Sequence, residues 1–242
     1  MIVLVHGDRE YVRAPGEELQ TDLGVLTVPE NVEPGDTLET HLGTEFTVRR
    51  LRGPDLFNHL ERTGAPMMPR DIGLVIGHTG VESTDRVLDA GTGTGILSSY
   101  LGRLGATVTT YEQNAEFAET ARENMRIAGV EENVTVRSGN IVENVDALIT
   151  EGPFDVLTLD TGDAPDVVAH ASELLSAGGY LAVYSPFVEN TREVVTAARD
   201  AGLSDIQTLE TLQRKMQFDD RGSRPSTRGV GHTGYLTFAR NE

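Results

Sequence analysis

The stretch that decides the fold is Val87–Leu97, VLDAGTGTGIL. Val87 and Leu88 close a short apolar run after polar Asp85 and Arg86. Gly91, Gly93 and Gly95 then alternate with threonines, and Ile96 to Leu104 reads as a helix. The order is strand, glycine loop, helix. Glycine suits such a turn because a Cβ would obstruct the bend and hold a ligand off the backbone, while the helix start offers free N–H groups. A loop of this kind is a nucleotide cradle, the alternative being an ordinary tight turn.

The spacing narrows the ligand. A dinucleotide fingerprint runs G-x-G-x-x-G, its last glycine admitting close packing of helix on strand. Here the spacing is G-x-G-x-G, and Ile96 follows directly. Asp89 stands two positions before Gly91, where it suits a cationic amino-acid end rather than a pyrophosphate. Glu112 closes the run Val108–Tyr111, where an acceptor for ribose hydroxyls sits at the end of the next strand. Together these features point to S-adenosylmethionine.

At 242 residues the chain can bury a sizeable core, as one large domain or a standard domain plus a small one. It has no run of 18 apolar residues, and MIVLVHGDRE is too short and acidic for a signal peptide, so it reads as a cytoplasmic protein without membrane partners. With no cysteine, disulfides, thiolate metal sites and cysteine nucleophiles are excluded. The covalent route of pyrimidine C5 methyltransferases goes with them.

A formal charge of −18 argues at first sight against a nucleic-acid partner. Yet Lys215 is the single lysine, nearly all positive charge is arginine, and the carboxylates are spread along the whole chain. That pattern reads as salt adaptation, as in a halophilic archaeon. In molar salt the Debye length is about 3 Å, so clustered arginine matters more than total charge. The plainer alternative is a mildly acidic enzyme for a small molecule.

Outward from the glycine loop, residues 1–53 hold short β-rich runs (MIVLVH, EYVR, GVLTV, EFTVRRL) broken by Gly, Pro and Asp, which predicts a small β domain. Residues 54–84 read as connecting helices: Asp55–Arg62 has apolar residues at helical spacing, and Pro69 opens a helix running to His78. From residue 85 to 242, strands and helices alternate, which predicts an α/β, Rossmann-like domain with a parallel sheet. In the tail, IQTLETLQRKMQFD and TGYLTFAR read as two long strands flanking a Gly- and Arg-rich loop, Arg221–Gly231, and forming a hairpin at the sheet edge.

Ligands of such folds sit beyond the carboxyl ends of the strands, where Gly91, Glu112, Asn140 and Asp160 fall. Asp160 follows the apolar run FDVLTL, on the sulfonium side of the cleft; the alternative is a helix N-cap. Asn140 follows VTVRSG and offers a carbonyl to an adenine amino group, or serves as a polar turn residue. The six histidines show no ligand spacing, so no metal site is expected.

The chain resembles the archaeal and bacterial tRNA adenine-N1 methyltransferases that act on T-loop adenines 57 and 58. The resemblance spans nearly the full length. It rests on TDLGVL at Thr21–Leu26, H-x-G-x-E-F at His41–Phe46, P-x-D at Pro69–Asp71, DAGTGTGIL, Tyr111 and Glu112, AGGYLAVYSP at Ala177–Pro186, and Arg224-Pro225 followed by GHTGYLTFAR at Gly231–Arg240. The glycine loop is common to many methyltransferases; the N-terminal motifs and the C-terminal one are particular to this family. It implies a homotetramer, tRNA as partner, and cofactor contacts at Thr94, Gly95, Ile96, Leu97, Glu112, Phe117, Asn140, Ile141 and Asp160. Asp160 is then the catalytic residue that meets the adenine. The sequence departs from the family at Met68, where His or Tyr is usual, at Asn140, where many members have Asp, and at Thr161 and Gly162, where Leu-Pro is usual.

Adenine N1 has a free lone pair, so in-line positioning does most of the work and no strong base is required. Asp160 would stabilise the charge developing on the base, and Arg221, Arg224 and Arg228 are candidates for phosphate contacts, the alternative being a solvated loop. Competing readings are an isoaspartyl-type protein methyltransferase, an amino methyltransferase of DNA or RNA, and a noncatalytic cofactor-binding subunit. The first would not require the terminal motifs. The second would show [DNS]-P-P-[YF] where this chain has DTGD. The third would have lost its glycine loop.

Overall fold

The computed structural model describes residues 1–229 and 231–242. Its first elements are six short strands: β1 (Ile2–His6), β2 (Arg9–Arg13), β3 (Glu18–Thr21), β4 (Gly24–Thr27), β5 (Thr37–Glu39) and β6 (Glu45–Arg50). Side chains alternate across a strand. Ile2 and Leu4, Phe46 and Val48, with Leu19, Leu26 and Val28, therefore face one small core. Val3 points the other way and joins the main core beside Leu51, Leu56 and Leu60, which ties this module to the rest of the chain. The sheet order is β2-β1-β6-β5, antiparallel, with β3 and β4 as a separate hairpin.

Two helices follow. In α1 (Gly53–His59) the Asp55 carboxylate accepts the Arg52 N–H at 2.7 Å, closing the first turn. This helix stops at His59 rather than Arg62, because Leu60 turns extended and the buried Asn124 side chain holds the Glu61 backbone from both sides. In α2 (Pro69–Thr79), Pro69 opens the helix and Gly80 ends it in the left-handed conformation.

The remainder alternates as β7 (Arg86–Ala90), α3 (Ile96–Leu104), β8 (Thr107–Glu112), α4 (Ala115–Ala128), β9 (Val134–Ser138), α5 (Val145–Glu151), β10 (Phe154–Leu159), α6 (Ala164–Val168), α7 (Ala171–Leu174), β11 (Leu175–Ser185), α8 (Val188–Asp200), β12 (Ser204–Glu210), β13 (Met216–Asp219), β14 (Gly222–Pro225) and β15 (Tyr235–Arg240). The seven-stranded sheet has the order β12-β15-β11-β10-β7-β8-β9. Its five strands from β11 to β9 are parallel. With helices on both faces, strand residues such as Val87, Leu88, Val156 and Leu157 are buried on either side, hence the near-continuous apolar runs.

The chain moves from β7 outward to β8 and β9, then returns to β10 on the other side of β7. A crevice opens at such a switch, beyond the carboxyl ends of the strands. Gly91 and Asp160 leave the sheet there.

Two expectations need correction. PDVVAHASELLSAG forms two short helices, α6 and α7, with Leu175 and Ser176 already in β11. The tail strand IQTLETLQRKMQFD breaks after Glu210: its first half is the edge strand β12, and its second half pairs with β14 in a small hairpin of its own. β15 lies inside the sheet, antiparallel between β11 and β12. Val230, within the expected Arg221–Gly231 loop, lies outside the described residues.

Candidate active site

The glycine loop is braced from its neighbours. Gly91 and Thr92 donate their N–H groups to the Tyr111 carbonyl at 3.0 and 3.3 Å, and Asp160 donates its own to the Ala90 carbonyl at 2.8 Å. Gly91 has φ +85°, and a Cβ there would lie 2.0 Å from the Asp160 carbonyl oxygen. Glycine is therefore required for the close approach of the β10 end, not only for a ligand. Gly95 caps α3, and a Cβ on it would lie 2.2 Å from Met125 Cε on α4.

Glu112 is buried at the end of β8. One carboxylate oxygen accepts the Gly93 N–H at 2.9 Å and the other the Asn114 N–H at 3.0 Å. Each oxygen keeps a further lone pair, so the group can brace the loop and still accept ribose hydroxyls.

Asp89, on β7, has partners that the sequence does not show. Its carboxylate is buried and accepts three hydroxyls, from Ser98 (2.8 Å), Thr110 (2.6 Å) and Thr158 (2.5 Å). It thus ties α3, β8 and β10 to β7 while lining the smaller of the two cavities described below. Burial pushes its carboxyl upward, opposed by the three hydrogen bonds.

Asp160 behaves otherwise. Its carboxylate has no hydrogen-bond partner among the described residues. Burial, and then the neighbouring Asp89 charge, push it up to about 7. A carboxyl so placed gains from a cation arriving beside it.

Two adjoining cavities meet at Ala65, Gly91, Gly93 and Asp160. The larger, about 360 Å³, is lined by Glu112, Phe117, Asn140 and Ile141. The smaller, about 40 Å³, is lined by Thr94, Ile96, Leu97 and the buried Asp89, with Pro66 and Met67. Every residue expected to contact the cofactor falls on one of these walls except Gly95, which stands behind them as the cap of α3.

Asn140 lines the larger cavity. Its carbonyl oxygen already accepts the Val142 N–H at 2.9 Å, and its amide donates to Asp163 at 3.2 Å. Sequence reading missed Asp163, whose carboxylate lines the same end of the cavity. Also missed were Thr63, Gly64 and Ala65, which roof the larger cavity. The roof is held by Asn124, whose amide donates to both the Glu61 and Thr94 carbonyls at 2.8 Å. Asn124 is fully buried on the inner face of α4, although in its own segment it looks like any polar helix residue. Met68 caps α2 without a side-chain bond. Arg221, Arg224 and Arg228 lie exposed on or beside the β13–β14 hairpin, Arg221 at 3.9 Å from Asp219.

Residues 54–222 match the family model described as tRNA methyltransferase complex GCD14 subunit. A tRNA (adenine(57)-N(1)/adenine(58)-N(1))-methyltransferase of Methanocaldococcus jannaschii is 32% identical over 269 residues, covering 99% of this chain and 94% of the relative. The chain belongs to this family. Among solved structures, a SAM-dependent O-methyltransferase from Thermotoga maritima matches with a TM-score of 0.80 at 26% identity, covering 99% of this chain and 92% of that one. The tRNA (m1A58) methyltransferase from Aquifex aeolicus matches with a TM-score of 0.71 at 21% identity, covering 100% and 96%, a likeness of fold. As a GCD14-family member the protein is an S-adenosylmethionine-dependent methyltransferase. The site fits that cofactor: a lobe with a carboxylate at its wall for the nucleoside, a smaller lobe at the α3 N-terminus for the amino-acid end, and Asp160 where they join.

Proposed function

We propose that the protein methylates N1 of adenine 58 in the T loop of tRNA, with adenine 57 as a second target, using S-adenosylmethionine as donor. The observation that carries the reading is Asp160, an unpaired carboxylate at the junction of both lobes of the cofactor cleft, in a chain of this family. The bound cofactor supplies an electrophilic methyl group on a sulfonium.

Glu112 holds the ribose, Phe117 and Ile141 flank the adenine of the cofactor, and Asn140 with Asp163 closes that end. Asp160 accepts a hydrogen bond from the exocyclic amine of the target base and offsets the positive charge that develops on its ring. Thr94, Gly95, Ile96 and Leu97 present the start of α3 to the carboxylate of the methionine moiety. Arg221, Arg224 and Arg228 meet phosphates of an RNA whose target base has left its stack.

The same reading divides the chain at 1–53, 54–84 and 85–242. It makes the protein a cytoplasmic, salt-adapted homotetramer. Met216 and Phe218, 50% and 77% exposed on one face of the β13–β14 hairpin, support self-association. No described helix is long and apolar enough to cross a membrane.

The test is incubation with labelled cofactor and an unmodified tRNA transcript in molar potassium chloride, followed by nuclease mapping and mass spectrometry. Methyl on N1 of a T-loop adenine is expected. Cofactor binding with no incorporation into RNA would shift the assignment to a protein substrate or a noncatalytic subunit.

A further inference from the structure

We infer that Arg70 and Asp71 are positioning residues for methyl transfer, fixing the Thr233 segment and with it Tyr184, on the strand next to Asp160. The inference rests on the function proposed above. Arg70 and Asp71 open α2, whereas Thr233 lies 163 and 162 residues away, just before β15. Arg70 Nη2 donates to the Thr233 hydroxyl at 2.5 Å, and that hydroxyl donates to Asp71 Oδ2 at 3.3 Å. The Tyr184 hydroxyl, from β11, donates to the Thr233 carbonyl at 2.6 Å. Gly234 lies against the same ring, since a Cβ there would fall 2.5 Å from Tyr184 Cζ. His232 fastens the other side of the segment, one ring nitrogen 2.7 Å from Glu210 Oε1 and the other 3.1 Å from the Pro186 carbonyl.

Packing alone does not account for this choice of residues. The Arg70 side chain is only 9% exposed, and its Nε is the one buried side-chain nitrogen or oxygen without a hydrogen-bond partner among the described residues. A buried guanidinium with an idle donor costs stability that an apolar side chain of similar size would not. What the pair supplies is direction without net charge. Arg70 Nε lies 3.5 Å from Asp71 Oδ1, so the clamp adds no net positive field near the place where the adenine becomes cationic. Leu159 pairs with Val183 in the parallel β10–β11 register, so Tyr184 is the next residue of β11 alongside Asp160 as β10 ends, and the clamp acts on the strand beside the proposed catalytic carboxylate.

Thr233→Val removes the hydroxyl relay with little change in volume, and Asp71→Asn leaves the Arg70 charge uncompensated. Each is expected to slow single-turnover methylation of tRNA at least tenfold, with cofactor Kd within twofold of wild type. The double variant should be no more than threefold worse than the slower single one. A wild-type rate in Thr233→Val, or a rate loss matched by an equal loss of cofactor affinity, would overturn the inference. Should Asp71→Asn fail to fold, Thr233→Val carries the test. A readout independent of RNA is 19F NMR of protein labelled with 3-fluorotyrosine, with Tyr184 assigned through Tyr184→Phe. Thr233→Val is expected to move that resonance, and an unmoved resonance would overturn the clamp. Should wild-type protein transfer no methyl to tRNA, the functional reading fails while the NMR result still judges the clamp.

Discussion

Replacing Gly91 by alanine tests the geometry of the site at its tightest point. The added Cβ would lie 2.0 Å from the Asp160 carbonyl oxygen and 2.6 Å from its carbon, whereas ordinary contact begins at 3.4 Å. Both obstructing atoms are backbone, so the Asp160 backbone must retreat by about 1.4 Å, the difference between 3.4 and 2.0 Å. Gly91 also has φ +85°, and a side chain in the left-handed region costs roughly 1–2 kcal/mol. Overpacking adds about 1–3 kcal/mol, for a loss of roughly 2–5 kcal/mol in folding stability. Moving a reacting group by about 1 Å costs on the order of a hundredfold in rate. Urea denaturation and single-turnover methyl transfer to tRNA should therefore both register the change. Gly73→Ala is the control: nothing lies within 4 Å of its Cβ position in mid-α2, so it should stabilise by about 0.5–1 kcal/mol. A Gly91→Ala protein within about 0.5 kcal/mol of wild type and transferring methyl at the wild-type rate would refute the reasoning.

Three further outcomes follow from the same contacts. Glu112→Gln should weaken cofactor binding by about 10- to 100-fold, the worth of charge-assisted bonds to the ribose, as read by isothermal titration; unchanged affinity would place the ribose elsewhere. Asn124→Ala should lower stability by about 1–3 kcal/mol in urea denaturation, since it leaves the buried Thr94 carbonyl without that partner and frees the Glu61 backbone, and a loss below about 0.5 kcal/mol would show that the roof is held by other means. Asp160 gives a pH signature. Its folded carboxyl lies at about 7, above the unfolded value near 3.8, so its contribution to stability is complete below pH 4 and is lost as pH rises through 7. Asp160→Asn, which cannot ionise, should thus be more stable than wild type at pH 8 by about 1–3 kcal/mol and lack the loss between pH 4 and 7; equal stability profiles would remove the basis for the raised value.

Much of this was legible because local chemistry and fold agree at the glycine loop. Alternating glycines between an apolar run and a helical one admit few conformations, and the acid closing the next apolar run marks the neighbouring strand end. What the loop did not show was partners already taken. Asp89 reads as a free carboxylate, yet Ser98, Thr110 and Thr158 reach it from three other elements, and each looks like an ordinary polar residue in its own segment. Asn140 likewise reads as an acceptor, while its carbonyl serves its own turn and its amide points to Asp163. The tail misled for a different reason. IQTLETLQRKMQFD reads as one long strand, but its residues cannot report a change of sheet, and Leu212 to Lys215 are exposed between the pairing of β12 with β15 and that of β13 with β14. The contact of Arg70 and Asp71 with Thr233 spans more than 160 residues and has no local signal at all.

The most direct test of the central claim is the single-turnover rate of methyl transfer to unmodified tRNA by Asp160→Asn, with cofactor Kd measured on the same preparation. Loss of a positioned charge that acts on the developing cation predicts a rate about 10²–10³ below wild type with cofactor affinity within tenfold. Transfer at the wild-type rate would contradict it and remove Asp160 from the chemistry.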